Sequence, residues 1–255
     1  MRYIYRDNRT KREIKIVNAA IRNTWTVSDI FHNEKDFYSY YRTEAERLKW
    51  APILVALAFG ENTAFHGFGK RIAEADDIST KSWLAAHLLD EAKHTEGFSK
   101  LLNYLYPTFK HQQDKLFSSR DALVFYGYTH RCNSLIEWLL CTQIAEVFGR
   151  QCYKGLHTSL SDEPVAARFL RNIIIDEARH IAYISELIHV RLQSIRNRDE
   201  NENLRFFIDK MITLGRNMFE AKKKGANYKA LSSLGIDVTN FCDIAEMELR
   251  EKYST

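Results

Sequence analysis

Apolar residues recur every three or four positions along four long stretches of the chain, which is the spacing of helices with one buried face. In the second stretch, for example, Leu84, Leu88 and Phe98 fall on one side of a helix. We place the four helices at about 41–75, 80–106, 121–153 and 164–196. Polar turn sequences separate the members of each successive pair. The pattern predicts an all-α protein built on a four-helix bundle.

Two of these apolar faces also contain a carboxylate and an imidazole. Glu91 and His94 lie within the apolar stripe of the second helix, and Glu177 and His180 lie within that of the fourth. Residues three apart share one side of a helix, so each pair directs both groups towards the same point. An unpaired charge in an apolar seam is strongly unfavourable, and metal coordination would remove that penalty.

The two pairs belong to a repeated pentapeptide, DEAKH at 90–94 and DEARH at 176–180. Another glutamate precedes each copy: Glu61 lies 30 residues before Glu91, and Glu146 lies 31 before the corresponding glutamate of the second copy. The midpoints of both intervals fall in polar turns, so each helix pair folds back with its glutamates level. Four carboxylates and two imidazoles in this order form the ligand set of a di-iron or di-manganese centre. The predicted ligands are Glu61, Glu91, His94, Glu146, Glu177 and His180.

Two other glutamates, Glu96 and Glu137, are alternatives to Glu61 and Glu146. Glu137 lies nine residues from Glu146, which corresponds to a different depth in the bundle. Glu96 follows His94 by two residues and faces away from it. We therefore retain Glu61 and Glu146 as the predicted ligands.

Asp90 and Asp176 each precede a predicted glutamate ligand. Metal-bound histidines usually donate their second N–H to a carboxylate, which fixes the tautomer. We expect Asp176 to contact His94, and Asp90 to contact His180. The alternative is that both are ordinary surface aspartates. The remaining histidines, including His87, are expected at the surface or at helix ends. For His87, seven residues before His94, the alternative is an approach to the metal site.

Composition agrees with a helical protein and excludes several classes. The 255 residues include only 10 Gly and 3 Pro, and their number fits one domain over 1–255 with its core bundle at about 41–196. Additional helices are expected in 1–40 and 200–255. Four cysteines without CxxC spacing exclude a zinc knuckle or a rubredoxin-type iron site. The chain shows no long apolar run, no secretory h-region and a net charge of only +4, so we expect a cytoplasmic protein that binds neither membranes nor nucleic acid.

At these motifs the chain resembles the ferritin-like di-iron carboxylate superfamily, specifically its ribonucleotide-reductase-like and di-iron oxygenase branches. The resemblance covers about residues 41–196. It implies a ferritin-like bundle with additional N- and C-terminal helices, two iron or manganese ions, and dioxygen as co-substrate. It also implies that Glu91 and Glu177 bridge the metals, and that Glu61, Glu146, His94 and His180 are terminal ligands.

Single positions distinguish the branches of that superfamily. The radical-generating reductase subunit usually has a tyrosine where this chain has Phe98, and Tyr183 is the substitute we consider. Aryl-amine N-oxygenases have a further histidine where this chain has Ile173. Rubrerythrins carry a four-cysteine module that is missing here, and bacterioferritins are much shorter. Aldehyde-deformylating oxygenases are similar in length, in ligand spacing and over 230–236, and acyl-carrier-protein desaturases have a similar Asp-Glu-x-Arg-His motif.

The sequence therefore predicts an O₂-activating non-haem di-iron oxygenase or oxidase that requires an external electron donor. Its substrate would be a small, largely apolar molecule or an acyl chain, and the reaction an oxygenation, N-oxygenation, deformylation or desaturation. Residues one turn from the ligands predict the pocket: Leu57, Ala58, Phe65, Phe98, Thr142 and Gly149.

Within that pocket, Gly149 would leave space beside Glu146, and Thr142 would offer a hydroxyl near bound oxygen; the alternative for both is ordinary helix packing. Two other functions are compatible with the same motifs, an iron-storage protein and a radical-generating reductase-like subunit. A storage protein would form a large shell, whereas an oxygenase would be a monomer or homodimer.

Overall fold

The described part of the chain consists of α-helices and contains no strand. The structure is a computed structural model that describes residues 25–31, 43, 45–46, 49–105, 120–194 and 198–253. Its helices are α1 (Val27–Ile30), α2 (Ala51–Glu74), α3 (Ile78–Leu105), α4 (Arg120–His130), α5 (Leu135–Ser159), α6 (Pro164–Ser194), α7 (Arg198–Lys224), α8 (Ala226–Ser233) and α9 (Val238–Tyr253). The predicted all-α class is confirmed.

Helices α2, α3, α5 and α6 form the predicted four-helix bundle. α2 packs along α3, α5 packs along α6, and α3 also contacts α6. The turn before α3 is stabilised by Asp77, whose carboxylate accepts hydrogen bonds from the backbone N–H of Thr80 at 2.8 Å and from its hydroxyl at 2.7 Å. Pro164 begins α6, where its missing N–H leaves no hydrogen bond unmade. Both helix pairs are therefore antiparallel and joined by short turns.

Two predicted helix boundaries were wrong. The third helix is not continuous over 121–153, because α4 ends at His130 and α5 begins only at Leu135. Ser134 and Glu137 form a capping box there: the Ser134 hydroxyl accepts from the Glu137 N–H at 3.3 Å, and the Glu137 carboxylate accepts from the Ser134 N–H at 3.3 Å. Glu137 therefore caps a helix and is not a metal ligand.

The first bundle helix begins at Ala51 and not near residue 41. Residues 49–50 form a turn, and Pro52 follows in the first turn of α2. A proline ring has no N–H to donate to an earlier carbonyl, so a helix arriving from residues 41–48 could not continue through this position unbroken. The apolar periodicity that predicted the longer helix could not reveal this local effect.

Additional helices pack against the bundle. α7 and α9 pack against α5, α8 packs against α2, and α4 contacts α7. Gly235 ends α8 with a positive φ of 76°, which lets the N–H groups of Gly235 and Ile236 reach the last carbonyls of the helix. The predicted C-terminal helices are thus present. The prediction for 1–40 is met only by α1 within the described residues, and most of the 107–120 connection lies outside them.

The apolar faces of the bundle helices meet in one continuous core. Leu54, Leu84, Leu139, Phe169 and Ile184 are fully buried there. Across the described helices, none combines the length and the apolar character that a membrane span requires.

Candidate metal centre

The six residues predicted as metal ligands meet in the middle of the bundle, and none is more than 8% exposed. α2 provides Glu61, α3 provides Glu91 and His94, and α5 provides Glu146, while α6 provides the last glutamate and histidine. Their ligand atoms form two groups, and the atoms within each group lie within 4.8 Å of one another.

The first group consists of Glu61, Glu91, His94 and Glu177. His94 Nδ1 lies 3.3 Å from Glu61 Oε2, 3.5 Å from Glu177 Oε1 and 4.0 Å from Glu91 Oε2. Neighbouring ligand atoms around an ion with bonds of about 2.1 Å lie about 3 to 4 Å apart. The group therefore has the dimensions of one metal position.

The second group consists of Glu91, Glu146 and His180 together with His87. His180 Nδ1 lies 3.5 Å from Glu146 Oε2 and 3.6 Å from Glu91 Oε1. His87 Nε2 lies 2.8 Å from Glu91 Oε1 and 3.0 Å from Glu146 Oε1. This group has the dimensions of a second metal position.

Two glutamates face both groups. Glu91 directs Oε2 towards His94 and Oε1 towards His180. Glu177 lies between the same two histidines, with Oε1 3.5 Å from His94 Nδ1 and Oε2 3.7 Å from His180 Nδ1. Glu91 thus belongs to both groups, and Glu177, a member of the first, directs its second oxygen towards His180 of the other; this is the placement that bridging ligands require.

The residues fit two divalent metal ions. His180 Nδ1 is buried and has no hydrogen-bond partner within the described part of the chain, a costly arrangement unless something else binds it. The four glutamates carry a formal charge of −4, which two divalent cations would balance. Imidazole nitrogen and carboxylate oxygen together are a donor set that suits first-row transition metals.

Without metal, the buried charges shift one another's pKa. Burial raises the pKa of Glu91 well above its usual range, and the charge of Glu61 adds to the effect. Burial opposes the charged form of Glu146 too, but its interactions with His87 and His180 prevail and lower its pKa to about 2. The metal-free centre therefore combines protonated and ionised groups in a small apolar volume.

The histidines shift in opposite directions. Burial disfavours the charged form of His180, but its contacts with Asp90 and Glu146 outweigh burial and raise its pKa to about 9. Burial and the neighbouring charge of His180 lower the pKa of His87 to about 4. His87 is thus neutral near pH 7, whereas His180 in the metal-free protein holds a proton that a metal ion would have to displace.

Each histidine of the two Glu-x-x-His motifs contacts an aspartate of the opposite helix. His94 Nε2 lies 3.3 Å from Asp176 Oδ2, and His180 Nε2 lies 3.2 Å from Asp90 Oδ2. The other ring nitrogen of each histidine, Nδ1, is the one that faces the glutamates. Trp25 adds a further contact, because its indole N–H donates to Asp176 Oδ2 at 2.7 Å and its ring stacks on His94. These contacts hold both imidazoles in a fixed orientation.

Two cations neutralise the aspartates. Arg179 bridges them, with Nη2 2.5 Å from Asp90 Oδ2 and Nη1 2.8 Å from Asp176 Oδ1. Lys93 Nζ lies 2.5 Å from Asp90 Oδ1 and 4.9 Å from the centre of the Trp25 ring. All four charged side chains are at most 14% exposed. The aspartates are therefore balanced separately from the glutamates.

Sequence reasoning missed three residues at this centre. His87 is buried inside it, not at the surface, and its position four residues before Glu91 would have placed it on the same helix face. Tyr153 donates its hydroxyl hydrogen bond to Glu61 and lies seven residues after Glu146, also on one helix face. Trp25 has no comparable signal, because it approaches from a distant part of the chain.

An apolar cavity of about 120 Å³ lies beside the glutamates. Glu61, Glu91, Glu146 and Glu177 line one part of it, and the remaining walls are mostly apolar and aromatic. Of the residues predicted to form a substrate pocket, three line this cavity: Leu57, Thr142 and Gly149. The Thr142 hydroxyl donates to the carbonyl of Trp138 at 3.0 Å, so its proton is used within its own helix.

The other three predicted pocket residues do not line the described cavity. Phe98 is fully buried between Phe169 and Tyr153, with ring centres 5.0 and 5.8 Å away. Ala58 packs against the hydrophobic core. The side chain of Phe65 lies outside the described part of the structure. Helix rotation accounts for the positions of Phe98 and Ala58, since residues one turn from a ligand can point to either side of it.

No protein-family model matches the chain, and no curated protein sequence matches it. Solved structures do. A Bacillus halodurans protein described as a class I ribonucleotide reductase aligns with a TM-score of 0.70 at 16% identity, over 96% of this chain and 93% of that one. An R2-like ligand-binding oxidase variant with a Mn/Fe cofactor aligns with a TM-score of 0.72 at 15% identity, over 94% and 92%.

The dimanganese(II) form of NrdF from Streptococcus sanguinis aligns with a TM-score of 0.72 at 14% identity, over 99% of this chain and 89% of that one. The chain has the R2-like fold. This finding confirms, at the level of fold, the resemblance inferred from the repeated motif. The R2-like fold also brings the two Glu-x-x-His motifs of this chain together on adjacent helices.

Proposed function

We propose that the protein is an O₂-activating non-haem di-metal oxidase or oxygenase whose substrate is small and largely apolar. The observation that supports this proposal is the apolar cavity, because four buried glutamates of the two ligand groups line one part of it. An apolar molecule held there would lie next to the metal positions. Iron storage requires no apolar cavity of this kind beside the ligands.

The proposed ligands are the four glutamates with His94 and His180, and Glu91 and Glu177 are the proposed bridges. Two reduced iron ions, or manganese in one or both positions, would supply the electrons that reduce dioxygen. Similar structures support this choice, since they include Mn/Fe, Fe/Fe and dimanganese(II) forms.

The chain's own residues provide orientation and a dry environment. The hydroxyl of Tyr153 donates to Glu61 and holds that carboxylate in place. Burial, reinforced by the charge of Glu61, raises the pKa of Tyr126 in the cavity wall, so this phenol keeps its proton. Phe68 and Trp138 line the cavity with apolar surface that excludes water. If one oxygen atom enters the substrate, the other leaves as water, which requires two electrons and two protons from an external donor.

The direct test is to load the metal-free protein with ferrous iron without oxygen, count the bound ions, and then expose it to oxygen. We expect two ions per chain, an optical change on exposure, and oxygen consumption that rises with pools of apolar molecules or acyl chains. Saturation at one ion would contradict the di-metal proposal. Two bound ions without any oxygen consumption would contradict the oxidase proposal.

One observation favours a second candidate, a radical-generating reductase-like subunit. A radical subunit needs a tyrosine near the metals. Phe98 carries no hydroxyl and so offers none, while Tyr183 stacks on Trp83 with ring centres 4.1 Å apart. Tyr153, however, touches the proposed ligand Glu61 directly and is therefore placed to exchange an electron with the centre. A persistent tyrosyl signal by electron paramagnetic resonance that disappears in Tyr153→Phe would favour this candidate over the oxygenase.

We further propose a cytoplasmic homodimer in which residues 1–255 form one domain. Analytical ultracentrifugation separates this proposal from the storage alternative, because a storage protein would sediment as a large shell. If the protein sedimented as a monomer, the homodimer proposal would be wrong and the enzyme proposal would be unaffected.

A further inference from the structure

His87 occupies a position in the second ligand group that the Glu-x-x-His repeat does not account for. Its ring is only 1% exposed and stacks on His180 with ring centres 3.5 Å apart. Its Nε2 lies 2.8 Å from Glu91 Oε1 and 3.0 Å from Glu146 Oε1. This nitrogen therefore points to the region that the second ion would occupy.

Aromatic packing and the 3.0 Å hydrogen-bond contact between Nε2 and Glu146 Oε1 together orient the ring. Phe68 and Trp83 also contact it, with ring centres 4.5 and 4.9 Å away. The buried Nδ1 of His87 has no hydrogen-bond partner among the described residues. An imidazole that served only to orient one glutamate would place its N–H against a single carboxylate. Here Nε2 is at contact distance from two carboxylates at once.

The position of His87 along α3 has a simple geometric meaning. Glu91 has His94 one turn after it and His87 one turn before it, all on one helix face. Glu91 Oε2 faces His94, whereas Glu91 Oε1 faces His87. A bridging carboxylate at Glu91 would thus have one imidazole of its own helix on each side, one for each ion.

We propose that His87 is a seventh protein ligand, which binds through Nε2 to the ion held by Glu91, Glu146 and His180. This inference rests on the proposed di-metal function. The second position then has two imidazoles, whereas the first has only that of His94. Nitrogen donors bind the later first-row divalent metals more tightly than carboxylates alone do, so the second position fills first with such a metal.

Cobalt(II) is the probe for the test, because each imidazole bound to it shows a strongly shifted, exchangeable N–H signal in the proton NMR spectrum. We expect three such signals from the full-length wild-type protein with two Co²⁺ bound, and two from His87→Gln. We also expect His87→Gln to weaken the tighter Co²⁺ site by roughly tenfold or more. His189→Gln is the matched control, because His189 is an exposed histidine that contacts Gln193 and belongs to neither ligand group.

The outcomes separate this inference from the proposed function. Two Co²⁺ ions with only two imidazole signals in the wild type would overturn the role of His87 and leave the di-metal centre in place. Failure of the wild type to bind two ions would instead contradict the proposed function. The signal count in the wild type decides the matter even if His87→Gln does not fold. An unchanged affinity in a folded His87→Gln would also overturn the inference.

Discussion

Asp90 Oδ2 lies 3.2 Å from His180 Nε2, across the interface between α3 and α6. Only one nitrogen of His180 is then left to face the glutamates, and it is Nδ1. The tandem pentapeptides are thus reciprocal, because the aspartate of each copy supports the histidine of the other. This reciprocity links the two proposed metal positions through a second layer of charged groups.

The contact predicts a loss of metal affinity in Asp90→Asn. An amide carries no charge, so it would orient His180 less well and leave Lys93 and Arg179 without their shared carboxylate. We expect metal binding at the second position to weaken by roughly 10- to 100-fold, as for other carboxylates that support metal-bound histidines. Metal titrations measure this, with the exposed Asp162→Asn as control. Equal affinities in both variants would contradict the supporting role of Asp90.

Metal binding should stabilise the fold. The metal-free centre contains four buried glutamates in contact with one another, and its unpaired atoms gain partners only when ions bind. An ion that binds only the folded state at 100 times its dissociation constant adds about 2.7 kcal/mol to the free energy of unfolding. For a protein of this size that corresponds to a rise in melting temperature of roughly 5 to 10 °C. Circular dichroism melts of metal-free and metal-loaded protein in one buffer test this, and identical midpoints would refute the buried metal centre.

The stability of the metal-free protein should fall as pH rises from 6.5 to 9. The pKa of His180 is raised from 6.5 to about 9, so the protonated imidazole stabilises the fold fully below pH 6.5 and this contribution is lost by pH 9. The loss amounts to about 3 kcal/mol if His180 acts alone. Metal ligation needs the neutral imidazole, so metal affinity should rise over the same interval. Melting temperatures measured against pH should therefore diverge between the two forms.

In the same experiment His87 serves as an internal comparison. Its pKa of about 4 means that it has no proton to lose above pH 6.5, so His87→Gln should leave the slope of the metal-free protein unchanged in that range. His180→Gln should reduce the slope, and the remainder should come from His94 and Glu91, whose pKa values are also raised. A melting temperature of the metal-free wild type that stays constant between pH 6.5 and 9 would contradict the pKa shift of His180.

Gly149 allows a matched pair of substitutions in the cavity wall. A Cβ at this position would meet Tyr153 at 3.6 Å, which is ordinary van der Waals contact. Gly149→Ala should therefore be tolerated and should raise the free energy of unfolding by up to about 1 kcal/mol, because alanine favours a helix interior. Gly149→Leu should fill the cavity and block turnover with both metals still bound. Full activity of Gly149→Leu would place the substrate elsewhere.

Local rules account for much of what could be predicted. The Glu-x-x-His spacing places a carboxylate and an imidazole on one helix face, and this follows from helix geometry whatever the tertiary structure. The Ser134–Glu137 capping box is also a local signal, and reading it would have predicted the break between α4 and α5. The same spacing rule also placed His87, four residues before Glu91, on the ligand face, but spacing alone did not distinguish a ligand position from the surface role that we preferred.

The sequence by itself therefore determined the helical class, the paired helices and the six residues that meet at the bundle centre, because each depends on spacing along one helix. Only the tertiary structure decided which side chains surround them. Trp25 reaches Asp176 across 151 residues, and Phe98 turns into the core instead of the cavity. These outcomes depend on how each helix is rotated about its axis relative to its neighbours. The rotation cannot be calculated from a single sequence, because a small error in residues per turn grows with every turn of the helix.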